Sequence, residues 1–177
     1  ILVPASVSTL GKSGPEGVSI TVTSESEEKL FRRCVVNNAA YDYITRCKPD
    51  DMGITAPPKD LRIWLFHALK ASSAVMIHHG TILSAELLDK FLGDYSSLIR
   101  YFAPDVTIGV KNLDTYSSIY SEVCHELSHA SHFSKVGVDY WNKYIRYIVK
   151  SYLATGGMTY GDGVSEDAGY CEIGECW

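Results

Sequence analysis

Cys124-His-Glu-Leu-Ser-His129 is the segment from which the rest of the chain can be read. It sets His125 and His129 four residues apart, with Glu126 directly after the first histidine. Residues four apart on an α-helix project from the same face, so both imidazoles can reach one ion. Zinc accepts imidazole nitrogen in near-tetrahedral geometry. Glu126 lies beside that point and can serve as general base toward a water the metal activates. One helical turn thus offers a Lewis acid's two ligands and a base.

Working outward, Tyr116, Ile119, Tyr120, Val123, Leu127 and Ala130 fall within one broad apolar face at helical spacing. His125, His129 and His132 fall on the opposite face. The expectation is a helix that packs on a core through one side and shows imidazoles to a cleft on the other. Asp114 or Thr115 is placed to cap it, and Gly137 to stop it after about residue 134. A catalytic zinc site needs a third protein ligand. His132 shares the face, but three ligands on one helix would spread over about 10 Å of rise, too far for one ion. It is expected at the rim. Downstream, Glu166, Glu172 and Glu175 remain open as the third ligand.

An HExxH helix, an interval of a few tens of residues and a glutamate on a second helix resemble the gluzincin, thermolysin-like zinc metallopeptidases. In many of these the third ligand sits in a small-Glu-small-aromatic setting, and Gly174-Glu175-Cys176-Trp177 is similar. The resemblance covers about residues 106–177. It implies Zn2+ bound by His125, His129 and Glu175, with Glu172, one helical turn earlier, as the alternative. Glu166 then reads as an acidic partner for its helix N-terminus. It also implies an α+β zincin-like domain, mostly helical with a small mixed sheet. The activity implied is hydrolysis of a peptide or protein substrate with Glu126 as general base. Many such peptidases act outside the cytoplasm, so a secreted or cell-surface location is expected. In the same family an edge strand ahead of the HExxH helix pairs with extended substrate, a role that would fall to residues 106–110. Tyr160, Tyr170 and His132 are candidates for the oxyanion donor, with Tyr160 preferred.

The competing reading is a non-catalytic module that keeps the fold and serves in binding or surface attachment. An intact Glu126 speaks for catalysis. Composition narrows the field further. A net charge of −5 with no basic block argues against nucleic-acid binding. No apolar run reaches the length of a membrane span. Of the five cysteines, Cys34, Cys47, Cys124, Cys171 and Cys176, none forms a CxxC pair, which disfavours a cysteine zinc site. Cys124 abuts the motif and is read as a small buried hydrophobe in preference to a nucleophile.

Elsewhere the pattern is coarser. Residues 18–23 alternate like a half-buried strand, and residues 1–24 read as a strand or linker, or as the end of a preceding domain. The catalytic domain is assigned to residues 25–177 and is expected to continue past Trp177. A helix is expected over residues 27–46, capped by Ser24 or Ser26, with Leu30, Val35, Ala39, Tyr43 and Ile44 on one face. Strands are expected at 61–66, 74–77 and 106–110, and further helices at 84–101, 140–153 and from Ser165 onward. His78 and His79 read as loop or surface histidines, since neighbours on a strand point to opposite faces. Asp50, Asp51 and the glutamates from Glu25 to Glu28 read as solvated charge.

Overall fold

Helix α1 (Glu28–Arg46) forms where Val35, Val36, Ala39, Ala40 and Tyr43 recur on one face, and all five are buried. The computed structural model describes residues 15, 21–81, 102–156, 161, 163 and 168–169. No serine caps α1. Its N-cap is Glu27, without a side-chain cap bond, while the Ser26 amide donates to Thr23 Oγ1 at 3.1 Å and shapes the turn that precedes the helix. Residues 21–23 carry no strand, so the expected strand over 18–23 does not extend through them; residues 18–20 lie outside the described residues. Ile44 stays 42% exposed, and Arg32 takes a place on the buried face. Burying a guanidinium is costly unless it is paired. Arg32 is held by Glu28 at 2.8 Å and by Asp114 at 2.9 Å. Glu28 and Asp51 are therefore not simply solvated: the latter pairs with Arg46 at 3.2 Å, at the end of α1 where a cation suits the helix dipole.

Three short strands follow: β1 (Ile63–Phe66), β2 (Ser73–Ala74) and β3 (Val106–Gly109). Their order is β1-β3-β2. β1 runs parallel to β3, from Ile63 opposite Val106 to Phe66 opposite Gly109. β2 runs antiparallel to β3, with Ser73 opposite Thr107. All four β3 residues are buried, as befits the central strand. A Cβ at Gly109 would run into the carbonyl oxygens of Ala71 and Leu69, so the segment leading into β2 can lie there only against glycine. β2 is shorter than the expected 74–77 because Met76 turns to φ 63° and ends the extended backbone.

The longest element, α2 (Tyr116–Ala154), carries the HExxH motif. Thr115 caps it through a reciprocal pair: Thr115 Oγ1 accepts the Ser118 amide at 3.1 Å, and the Thr115 amide donates to Ser118 Oγ at 3.2 Å. Asp114, the other candidate cap, is engaged with Arg32 instead. The expected stop at Gly137 is a break in the middle of this element. Gly137 has φ 81° and ψ 169°, a region essentially reserved for glycine, and the helix resumes beyond it. The two expected helices are thus two segments joined through one residue.

Among the described residues the molecule is an α+β unit in which a small mixed sheet lies against α2, and α1 packs along α2 as well. Val106, Ile108, Val110, Ile119, Val123, Leu127 and Ala130 meet at its centre without solvent exposure. Tyr116, expected on that face, is 46% exposed and stacks on Tyr120. No described helix is long and apolar enough to cross a membrane. The expected helix over 84–101 lies outside the described residues; of the last expected helix, Ala168 and Gly169 are described and helical.

Candidate metal centre

His125 and His129 sit one turn apart on the first segment of α2 with their rings nearly perpendicular, 86° between planes. Their Nε2 atoms are 3.2 Å apart. Two imidazole nitrogens bound to one tetrahedral zinc at about 2.0–2.1 Å stand roughly 3.3–3.4 Å from each other. The observed separation is close to that spacing, and it is also within hydrogen-bonding reach of one ring to the other. His125 is exposed and His129 is 7% exposed, so the site opens on one side and backs onto the core on the other. Glu126, between them in sequence, is 5% exposed.

The helix is fixed from behind by α1. Tyr43 Oη and Ser131 Oγ are 3.2 Å apart in the interior, and Tyr120 donates to Asp42 at 3.2 Å. These two bonds bracket the motif on the side away from its histidines. Burial raises the Tyr43 phenol, which keeps it protonated. The Cys124 thiol is likewise pushed up, first by burial and then by Asp42. A thiol held protonated is a poor nucleophile, in keeping with Cys124 as a packing residue.

His132 is not at the rim. It is 1% exposed, enclosed by the rings of Tyr140, Trp141 and Tyr144. The Gly137 break explains the difference: it lets the second segment of α2 bring those aromatics over a side chain that helical periodicity alone assigns to the cleft. Enclosure removes His132 from the candidates for an oxyanion donor. Burial also lowers its pKa below the ordinary 6.5. His132 then stays neutral in the fold while the unfolded chain takes up a proton near pH 6.5. The stabilising contribution is complete above that pH and is lost as pH falls through the folded-state value. His67, lowered first by burial and then by Arg32, acts in the same direction. Unfolding stability should decline as pH falls below 6.5, and a His132→Phe variant should show a flatter decline in denaturant titrations over that acid range.

β3 cannot serve as the edge strand that takes up substrate, because β1 and β2 occupy both of its sides. The sequence pattern marks a strand but does not say whether it is central. Glu166, Glu172, Glu175, Tyr160 and Tyr170 lie outside the described residues. Among the described residues no three His, Cys, Asp or Glu side chains come together as a metal site.

Sequence reasoning passed over Asp105, a carboxylate with 0% side-chain exposure. It accepts the backbone amides of Arg62 and His79 at 3.0 and 3.1 Å and ties the start of β3 to the turn after β2. A lone acid between a proline and an apolar run was the available signal. Comparison with family models, curated proteins and solved structures finds no match.

Proposed function

We propose that this chain is a zincin-like zinc peptidase domain, with His125 and His129 as two ligands and Glu126 as general base. The single observation carrying this reading is the 3.2 Å convergence of the two Nε2 atoms, beside a largely buried glutamate. Glu175 is proposed as the third ligand on the gluzincin resemblance, with Glu172 as the alternative. Tyr160 is proposed on the same basis as oxyanion donor. When bound, zinc supplies Lewis-acid activation of water and of the scissile carbonyl.

The chain's own contribution is proton handling and orientation. For zinc to bind through Nε2, each imidazole must carry its proton on Nδ1. Glu126 takes the proton of the attacking water and passes it to the leaving amine. α1 holds the motif helix in place through Tyr43 and Asp42 while the chemistry proceeds.

Elemental analysis of the purified protein tests the reading. The expected result is one zinc per chain, falling below half occupancy in Glu175→Ala and in His129→Ala. Retention of full zinc by His129→Ala would overturn the assignment of the pair. Loss in Glu172→Ala with retention in Glu175→Ala would exchange the two glutamates. A secreted or cell-surface setting is part of the same proposal.

A further inference from the structure

The break in α2 at Gly137 has little of its own to set its angle. Gly137 has φ 81° and ψ 169°. Its own chain neighbours aside, no atom among the described residues lies within 4 Å of where its Cβ would stand. A small residue in that setting is suited to act as a hinge. Yet one stretch of chain, residues 75–81, touches α2 on both sides of the break. On the motif segment, the His79 ring meets Phe133 edge-on at 6.2 Å. On the second segment, Trp141 Nε1 donates to the Val75 carbonyl at 3.3 Å. A Cβ on Gly80 would stand 3.5 Å from Val138 Cγ2, so the turn's backbone runs against Val138 as well. Phe133 and Trp141 also meet each other, with ring centroids 5.8 Å apart.

The stretch is itself tied to the sheet. The Met76 amide donates to the Asp105 carbonyl at 2.9 Å, and the Thr81 amide to the Met76 carbonyl at 3.1 Å. The Asp105 carboxylate, with 0% side-chain exposure, accepts the His79 amide at 3.1 Å and the Arg62 amide at 3.0 Å. His79 Nε2 lies 3.0 Å from the Lys59 carbonyl oxygen. Met76 is fully buried, which anchors the turn in the core. Buried contacts and buried backbone bonds of this kind oppose local opening.

We infer that residues 75–81 brace the Gly137 joint and fix the angle between the two segments of α2. The enclosure of His132 depends on that angle: His132 belongs to the first segment, while Tyr140, Trp141 and Tyr144 around it belong to the second. The brace takes hold of the motif segment at Phe133, one helical turn past His129. It couples the sheet, through Asp105, to the cover over His132. This inference does not rest on the peptidase reading and stands whether or not the chain binds zinc.

The test is site-resolved carbethoxylation of histidines by diethyl pyrocarbonate, read by mass spectrometry on the full chain. In the wild type, His132 should stay unlabelled while exposed His78 reacts to completion. His79→Ala and, separately, Val138→Ala loosen the brace from its two sides; Trp141 is left intact because it also covers His132 directly. In these variants His132 labelling should rise about three- to tenfold, the effect of one lost hydrogen bond or small contact on a local opening equilibrium. Tyr41→Ala, at an exposed side chain of α1, should leave it unchanged. Far-UV circular dichroism checks that each variant keeps its helices, and Val138→Ala, which trims an exposed side chain, keeps the test decisive where His79→Ala does not fold. A rise in either folded variant that is absent from Tyr41→Ala supports the brace. His132 labelled as fast as His78 in the wild type, protection unchanged in the folded variants, or an equal rise in Tyr41→Ala overturns it.

Discussion

Replacing Glu126 by glutamine should lower peptide turnover by about a hundred- to ten-thousand-fold, the range that general acid–base groups contribute, while zinc stays bound at one per chain. The two effects separate because the amide keeps the size and hydrogen-bonding capacity of the carboxylate but cannot accept the water's proton. Glu126 is only 5% exposed, so glutamine also avoids leaving a hole. The decisive comparison is kcat/KM beside metal content for both proteins. Unchanged turnover in Glu126→Gln would remove the proposed base. Lost zinc would instead make Glu126 part of the metal's support.

Trp141→Ala should cost about 3–5 kcal/mol of stability, the usual range for deleting a large aromatic from a core. That is a large part of a typical native stability of about 5–15 kcal/mol. Trp141 is fully buried and packs on His132, Phe133 and Tyr144, and its indole N–H donates to the Val75 carbonyl. The alanine variant would lose the packing and leave that carbonyl unpaired. For a chain of this length the expected drop in Tm is roughly 6–20 °C. Tyr41→Ala, at a side chain 68% exposed on α1, should change stability by less than about 0.5 kcal/mol. Thermal melts of the two variants side by side check the contrast. A Trp141→Ala protein that melts with the wild type would mean that the second segment of α2 does not hold the first.

Local signals in the sequence carried well where local geometry decides the outcome. The 3.6-residue period located α1 and both segments of α2 to within a few residues; the cap was narrowed to Asp114 or Thr115, and Gly137 was marked as a stop where the structure has a break between two helical segments. The convergence of His125 and His129 follows from one helical turn and needs no tertiary knowledge. What failed depends on contacts between distant segments. His132 has the same periodic position as a cleft residue, but a segment folded back through Gly137 covers it. Residues 106–109 read as a strand in either an edge or a central place, and only the partners β1 and β2 decide between them. Arg32 lies on the buried face because carboxylates at Glu28 and Asp114 meet it, the second of them far along the chain.

The parallel pairing of β1 with β3 has a consequence for the order in which the molecule assembles. Ile63 and Val106 meet only after all of residues 67–105 have closed into a loop, and non-local pairings of this kind slow folding. His125 and His129 need only one turn of helix to face each other, an event on the submicrosecond scale in peptides. Two thirds of the proposed ligand set can therefore form in a chain whose sheet is still open. Metal present during folding would, on the proposed reading, meet the two histidines before the sheet has closed.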